Sequence, residues 1–216
     1  MNMHLISVNC GQEQEIASAK ISGKTGIYKQ PVNERVQITE TGLAGDAVMD
    51  KENHGGPDQA VYVYGAPDYA WWSETLGREL TPGAFGENLT IAGLESAGFR
   101  VGDRLPVGRV VLEVTDPRIP CSTLAARMGD PAFVRRFRFA ERPGLDCRVI
   151  LAGWVQPGDP VTVERYSGET ISIIEMYRAY EKELDEATIR RHLAAPIAIR
   201  ARVEMEEKLQ KALARQ

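Results

Sequence analysis

Between residues 4 and 166 the chain is a succession of short β-forming runs, HLISV, RVQIT, AVYVYG, ENLTIAG, RVVLEV, CRVILAG and DPVTVERY, each closed by glycine, proline or polar residues. Runs this short, separated by turn chemistry instead of long helical stretches, predict a β-barrel or a sandwich. The segments VGDRL and PGDPVTV share a Gly-Asp turn that opens a run, a turn signal common in small barrels. Helices are predicted to interrupt the pattern at APDYAWWSETLG, where Pro67 suits the first turn, and at CSTLAARMG followed by DPAFVRRF. After Gly168 the period changes. Ile173, Ile174, Met176, Tyr177, Tyr180 and Leu184 fall near helical spacing, Asp185 can cap a second helix, and Pro196 can open a third carrying Ile199, Val203 and Leu209. The expected architecture is mainly β over 1–168, with a small three-helix segment over 169–216 packed on or swapped around it.

Composition excludes several classes. At 216 residues, with 43% hydrophobic and 26% charged residues, the chain can bury a substantial core. A net charge of -4 gives no general attraction to nucleic acid or to an anionic membrane. No apolar run approaches the roughly 20 residues that span a bilayer, and the start MNMHLISVNCG lacks the basic region and apolar core of a signal peptide, so a cytoplasmic protein is expected. Cys10, Cys121 and Cys147 are widely spaced and form no CxxC pair, which argues against a disulfide framework or a zinc knuckle. Three cysteines are also too few for a four-cysteine iron-sulfur cluster.

One stretch stands out chemically. In DPRIPCSTL, Pro120 pushes Ile119 into an extended conformation, so the strand VVLEV is expected to end where Cys121 begins. That places a thiol on a loop at a strand end, close behind Arg118; the alternative is a small buried hydrophobe. SGKTG at 22–26 resembles the end of a phosphate-binding loop, but Ser18 stands where that motif needs glycine, and IYKQPV cannot be the following helix. No GxGxxG follows a strand. Lys24 and Lys29 then simply flank a glycine turn. HGGPDQAVYVYG, with Gly55 and Gly56 after His54, and PGAFGENLT, with Asn88 before a strand, are turns that allow close backbone approach to a ligand. Seven arginines, at 118, 127, 135, 136, 138, 142 and 148, stand against Asp130, Glu141 and Asp146. No aromatic platform supports a nucleic-acid face, and guanidinium forks suit a phosphate-bearing cofactor better.

These motifs in this order, from KTGIYKQPV through GLAGDAVMDKENHGGPDQAVYVYG, DYAWW, PGAFGENLTIAGL and VGDRLPVGRVVLEVTDPRIPCSTLA to RPGLDCRVILAGWVQPGD, resemble the MOSC family, specifically its YiiM-like branch, across about residues 20–165. The helical tail resembles the three-helix extension of that branch. The resemblance implies a MOSC-type β-barrel that binds the molybdenum pyranopterin cofactor (Moco), with Cys121 as the protein ligand to molybdenum. A soft thiolate suits a metal already held by a dithiolene. Lys24, Lys29 and Arg118 match positions around the cofactor and its phosphate, while His54, Gly55, Gly56, Asp58 and Asn88 match positions lining the pocket, His54 with a catalytic role. Gln59 stands where a basic residue is common and Asp146 where an aromatic one is.

Related MOSC proteins, including the mitochondrial amidoxime-reducing component, reduce N-hydroxylated compounds to amines. The leading expectation is therefore a molybdenum-dependent reductase of small N-hydroxylated substrates such as N-hydroxylated purine bases. Without a dinucleotide fingerprint or cluster cysteines, its electrons are expected from a separate, flavin-containing reductase. A homodimer is expected, with no nucleic-acid or membrane partner. Two alternatives are a carrier of sulfur or cofactor using a persulfide on Cys121, and a structural or regulatory barrel with an inert cysteine.

Overall fold

A computed structural model describes residues 3–17, 22–49 and 55–214. Its strands are β1 Leu5–Cys10, β2 Gln14–Ala17, β3 Ser22–Thr25, β4 Gln30–Val32, β5 Val36–Thr39, β6 Gly42–Leu43, β7 Val61–Gly65, β8 Leu89–Ile91, β9 Arg104–Val107, β10 Val110–Asp116, β11 Leu145–Leu151 and β12 Gly153–Val155. The helices are α1 Ala66–Leu76, α2 Ser122–Met128, α3 Phe133–Ala140, α4 Ile173–Ala179, α5 Glu186–Ala194 and α6 Ile199–Leu213.

Seven strands form one sheet in the order β4-β1-β8-β7-β11-β10-β9. All neighbours are antiparallel except β7 and β8. A parallel pair needs a crossover, and α1 lies in the connection that supplies it. The run DPVTVERY, expected as a strand, makes isolated bridges instead, Pro160 to His4 and Val161 to Val107. Backbone bonds from Leu5 to Asp159 (2.9 Å) and from Gly108 to Pro160 (3.0 Å) tie this segment to both β1 and β9. Hydrogen bonding thus runs round from one side of the sheet to the other. A three-stranded sheet β12-β5-β6 and a β2-β3 hairpin complete the mainly-β fold. The SGKT of the rejected phosphate loop is strand β3.

The alternation Val-Tyr-Val-Tyr in β7 decides how the layers divide. Successive side chains point to opposite faces. Val61 and Val63 enter the core with Leu5, Leu89, Leu112 and Leu145. Tyr62 and Tyr64 face a second, aromatic cluster with Trp72 of α1, Phe85, and Phe133 and Phe137 of α3. Trp72 stacks on Phe137 at 5.7 Å and 10°, and its indole N–H donates to the Tyr64 hydroxyl at 2.9 Å. The buried polar atoms of the pair are thereby satisfied. Both faces of β7 are covered, which is why the whole strand is buried.

At the C-terminal end, Asp185 caps α5 by accepting from the Thr188 N–H (2.7 Å), as the sequence predicts, and Ser172 caps α4 by accepting from the Glu175 N–H (3.1 Å). Helix α4 stops at Ala179, so Tyr180 and Leu184 lie beyond it. On α6 the expected apolar stripe is shifted: Ile199 and Val203 are 63% and 48% exposed, while Met205 is buried and Leu209 packs partly against the core. Among the described residues no helix is long and apolar enough to cross a membrane.

Candidate functional site

On the outer, aromatic-cluster side of β7 and β11 lies a cleft enclosing about 730 Å³ with its open mouth included. Its floor carries Tyr62 and Asp146, and its walls are the 24–29 turn, the segment 46–49, Gly86 with Asn88, and the stretch Arg118–Thr123. The two walls near the mouth touch through a glycine: a Cβ on Gly26 would stand 1.8 Å from the Ala47 carbonyl oxygen.

Strand β10 ends at Asp116, earlier than the sequence suggests, and a four-residue connector, 117–120, carries the chain to Cys121. There the backbone turns into α2 with Cys121 as its first flanking residue (φ -124°, ψ 173°). The sulfur makes no capping hydrogen bond, is partly exposed, and lies on the cleft wall. The other two cysteines are off that wall. Burial pushes the Cys147 thiol well up, and burial with the Asp46 charge raises the half-buried Cys10 thiol against the pull of Lys29. A thiol so raised is a poor thiolate.

Arg118 lies over the Tyr62 ring at 5.4 Å, and its Nη1 is 4.0 Å from Asp146 Oδ2. That separation exceeds a hydrogen bond, so Asp146 leaves the donors of the guanidinium free. Lys29 is buried and ion-paired with Asp46. Asp46 also accepts from the Gly11 N–H at 2.7 Å and from Asn88 Nδ2 at 2.8 Å. Asn88 in turn accepts the Tyr62 N–H at 3.1 Å. Its amide therefore braces the wall and the buried ion pair. Lys24 reaches the mouth, but 55% of its side chain is exposed and it pairs with Glu13. Gly56 (φ 87°) flanks the 3-10 turn Pro57–Gln59 and is exposed; neither it nor Gly55 lines the cleft. Asp58 is used elsewhere, pairing with Arg148 at 3.0 Å and accepting the first N–H of α6, from Ile199, at 2.6 Å. His54 falls outside the described residues.

The sequence reading did not find Asp46 or Tyr62; it noted Gln59 and Asp146 as departures from the pattern, and Asp146 also as one of three carboxylates among the arginines. Gln59 Nε2 donates to Asp146 Oδ2 at 3.3 Å, so those two departures meet on the floor. Burial pushes the Asp146 carboxyl up, with Arg118 and Arg200 opposing the shift.

The residues present fit a soft, anionic metal cofactor: one accessible thiol, an incompletely engaged guanidinium and a lysine at the mouth. Among the described residues no cluster of three or more His, Cys, Asp or Glu could hold a bare metal ion.

Comparison with known proteins agrees with this architecture. The YflK protein of Bacillus subtilis is 38% identical over 154 residues, 71% of this chain and 70% of its own. A protein named reductase from Gibberella moniliformis is 31% identical over 165 residues, 74% of this chain but 29% of its own length. The crystal structure of YiiM from Geobacillus stearothermophilus superposes with a TM-score of 0.79 at 26% identity, covering 96% of this chain and 99% of that one. The MOSC domain is matched across residues 50–162, a span that holds Cys121, Arg118 and Asp146, and the chain belongs to the MOSC domain family, alongside YiiM.

Proposed function

We propose that the protein is a cytoplasmic, Moco-dependent oxidoreductase that reduces N-hydroxylated bases to amines. The observation that carries this reading is Cys121, the one cysteine of three on the cleft wall, three residues after a cleft-lining arginine. Its thiolate is the protein ligand for molybdenum. The group supplies two-electron redox chemistry when bound. Arg118 meets the cofactor's phosphate with charge-assisted hydrogen bonds, and Lys24 adds charge at the mouth. The Lys29–Asp46–Asn88 set fixes the wall, and Tyr62, Ile27 and Gly86 exclude water from one side. A relative named reductase supports the reaction class. Electrons come from a separate protein, since the chain carries no dinucleotide fingerprint.

The test supplies cofactor-loaded protein with an N-hydroxylated purine under anaerobic conditions and a chemical reductant. Amine should form with the wild type and not with Cys121→Ser, whose hydroxyl is a harder and far less acidic ligand. Undiminished product from Cys121→Ser, or none from the wild type, would overturn the assignment.

A further inference from the structure

Three strands present a polar row to the cleft side of the sheet. Asp146 of β11 is in register with Tyr62 of β7 on one flank and with Asp116 of β10 on the other. Directly opposed residues of antiparallel strands share a face. An irregularity in β10 between Val114 and Asp116 is what turns Asp116 to that face, since Val114 points into the core. Two carboxyl groups are therefore opposed across neighbouring strands. Asp146 is 1% exposed and lines the cleft, whereas Asp116 is only half buried and does not line it.

We propose that Asp146 delivers the proton that the substrate nitrogen takes up when its N–O bond breaks, and that Asp116 resupplies it from the solvent side. The proposal rests on the reductase reading above. Reduction of R–NH–OH consumes two electrons and two protons and yields R–NH2 and water. The N–O bond breaks, the nitrogen takes the Asp146 proton, and the oxygen leaves as water after taking the second proton from solvent in the open mouth of the cleft. The electrons come from a reduced flavin protein, or from a reduced viologen in the assay. Gln59 Nε2, 3.3 Å from Oδ2, holds the carboxyl in place.

Burial favours the protonated form of this acid against the charges around it. Asp146 faces Arg118 from the connector and Arg200 from α6, both of which favour its charged form, yet burial outweighs them. Asp116 faces Asp146, Asp58 of the 3-10 turn, and Arg200 and Glu204 of α6; burial of its carboxyl raises it well up, the three carboxylates add to the shift, and the arginine opposes it. Two opposed carboxyls disfavour double ionisation. Such a pair retains one proton at a pH where an isolated aspartate has lost it.

The experiment follows the carboxyl groups of aspartate-labelled protein by carbon NMR through a pH titration, with and without loaded cofactor. Turnover and molybdenum content of the same variants are measured in parallel. The wild type should show a carboxyl titrating above the ordinary range, absent from Asp146→Asn and moved down by about half to one pH unit in Asp116→Asn. Turnover of Asp146→Asn should fall by about 10²-fold or more at unchanged molybdenum content, the usual size of a lost general acid. Asp146→Glu should recover part of it, and Asp116→Asn should move the alkaline fall of the rate to lower pH. If loaded Asp146→Asn turns over within a few-fold of the wild type, or Asp146 titrates normally, the proposal fails while the reductase reading stands. If loaded wild type gives no amine, the reductase reading fails first and takes the proposal with it.

Discussion

The pair Lys29–Asp46 is the tightest test of how the cleft wall is held. Both side chains are nearly buried, at 8% and 4% exposure. Asp46 also receives the Gly11 N–H and the Asn88 amide. Asp46→Asn keeps the volume and an oxygen able to accept one of those donors, but it strands the Lys29 ammonium without its counter-charge. Breaking a buried pair from one side costs about 3–5 kcal/mol, because the remaining charge is desolvated and uncompensated. Against the roughly 5–15 kcal/mol by which such a protein is stable, this is a large share. For a chain of this size each kcal/mol moves Tm by about 2–4 °C, so a fall of about 6–20 °C is expected. The double variant Lys29→Met/Asp46→Asn removes both charges and retains an acceptor, and should recover to within about 1.5 kcal/mol of the wild type, since replacing a whole buried pair is often near neutral. Urea titrations followed by circular dichroism on the two singles and the double give the coupling directly. A loss below about 1 kcal/mol in Asp46→Asn, or a double variant as unstable as that single, would refute the claim that the ion pair is desolvated and mutually dependent.

Other outcomes follow from the same structure. Asp116 and Asp146 both titrate above the ordinary aspartate range in the folded chain. The folded state therefore binds more protons than the unfolded one as pH rises past the usual carboxylate value, and the stability due to these groups falls until their raised values are passed. Asp116→Asn should accordingly be more stable than the wild type in mildly alkaline buffer and little different in acid. The opposite order in urea titrations at the two pH values would contradict it. Phe137→Ala empties a fully buried position stacked on Trp72 and should cost about 3–5 kcal/mol by the same assay. Arg118→Ala should lower the molybdenum-to-protein ratio after gel filtration. Lys24→Ala should change it much less, because that side chain is half exposed and already paired with Glu13; equal losses would move the phosphate to the mouth.

Much of the fold was legible where local pattern and tertiary context agree. AVYVYG announces a buried strand, Asp185 announces α5, and Pro67 sits in the first turn of α1. The pattern misled where partners outside the segment decide. DPVTVERY has strand composition but is spent on bridges between two distant edges. Ile199 and Val203 have helical spacing, yet α6 meets the core through Met205 and Leu209. The cleft was legible through Cys121 and Arg118, which one short connector after β10 brings to the same wall. Asp46 was not, because its meaning comes from Lys29 and Asn88, 17 and 42 residues away. Asp58 shows the converse: a motif position beside cleft-lining Gln59 whose carboxylate anchors α6 instead.

The central claim is that Cys121 holds a molybdenum pterin in this cleft. It is tested most directly by metal and pterin analysis, together with molybdenum X-ray absorption, of wild type and Cys121→Ser made in cells that synthesise the cofactor. Near-equimolar molybdenum and pterin are expected in the wild type, with one thiolate sulfur beyond the dithiolene pair that disappears from the metal's coordination in Cys121→Ser. Wild-type protein free of molybdenum, or an identical sulfur count in the two proteins, would contradict it.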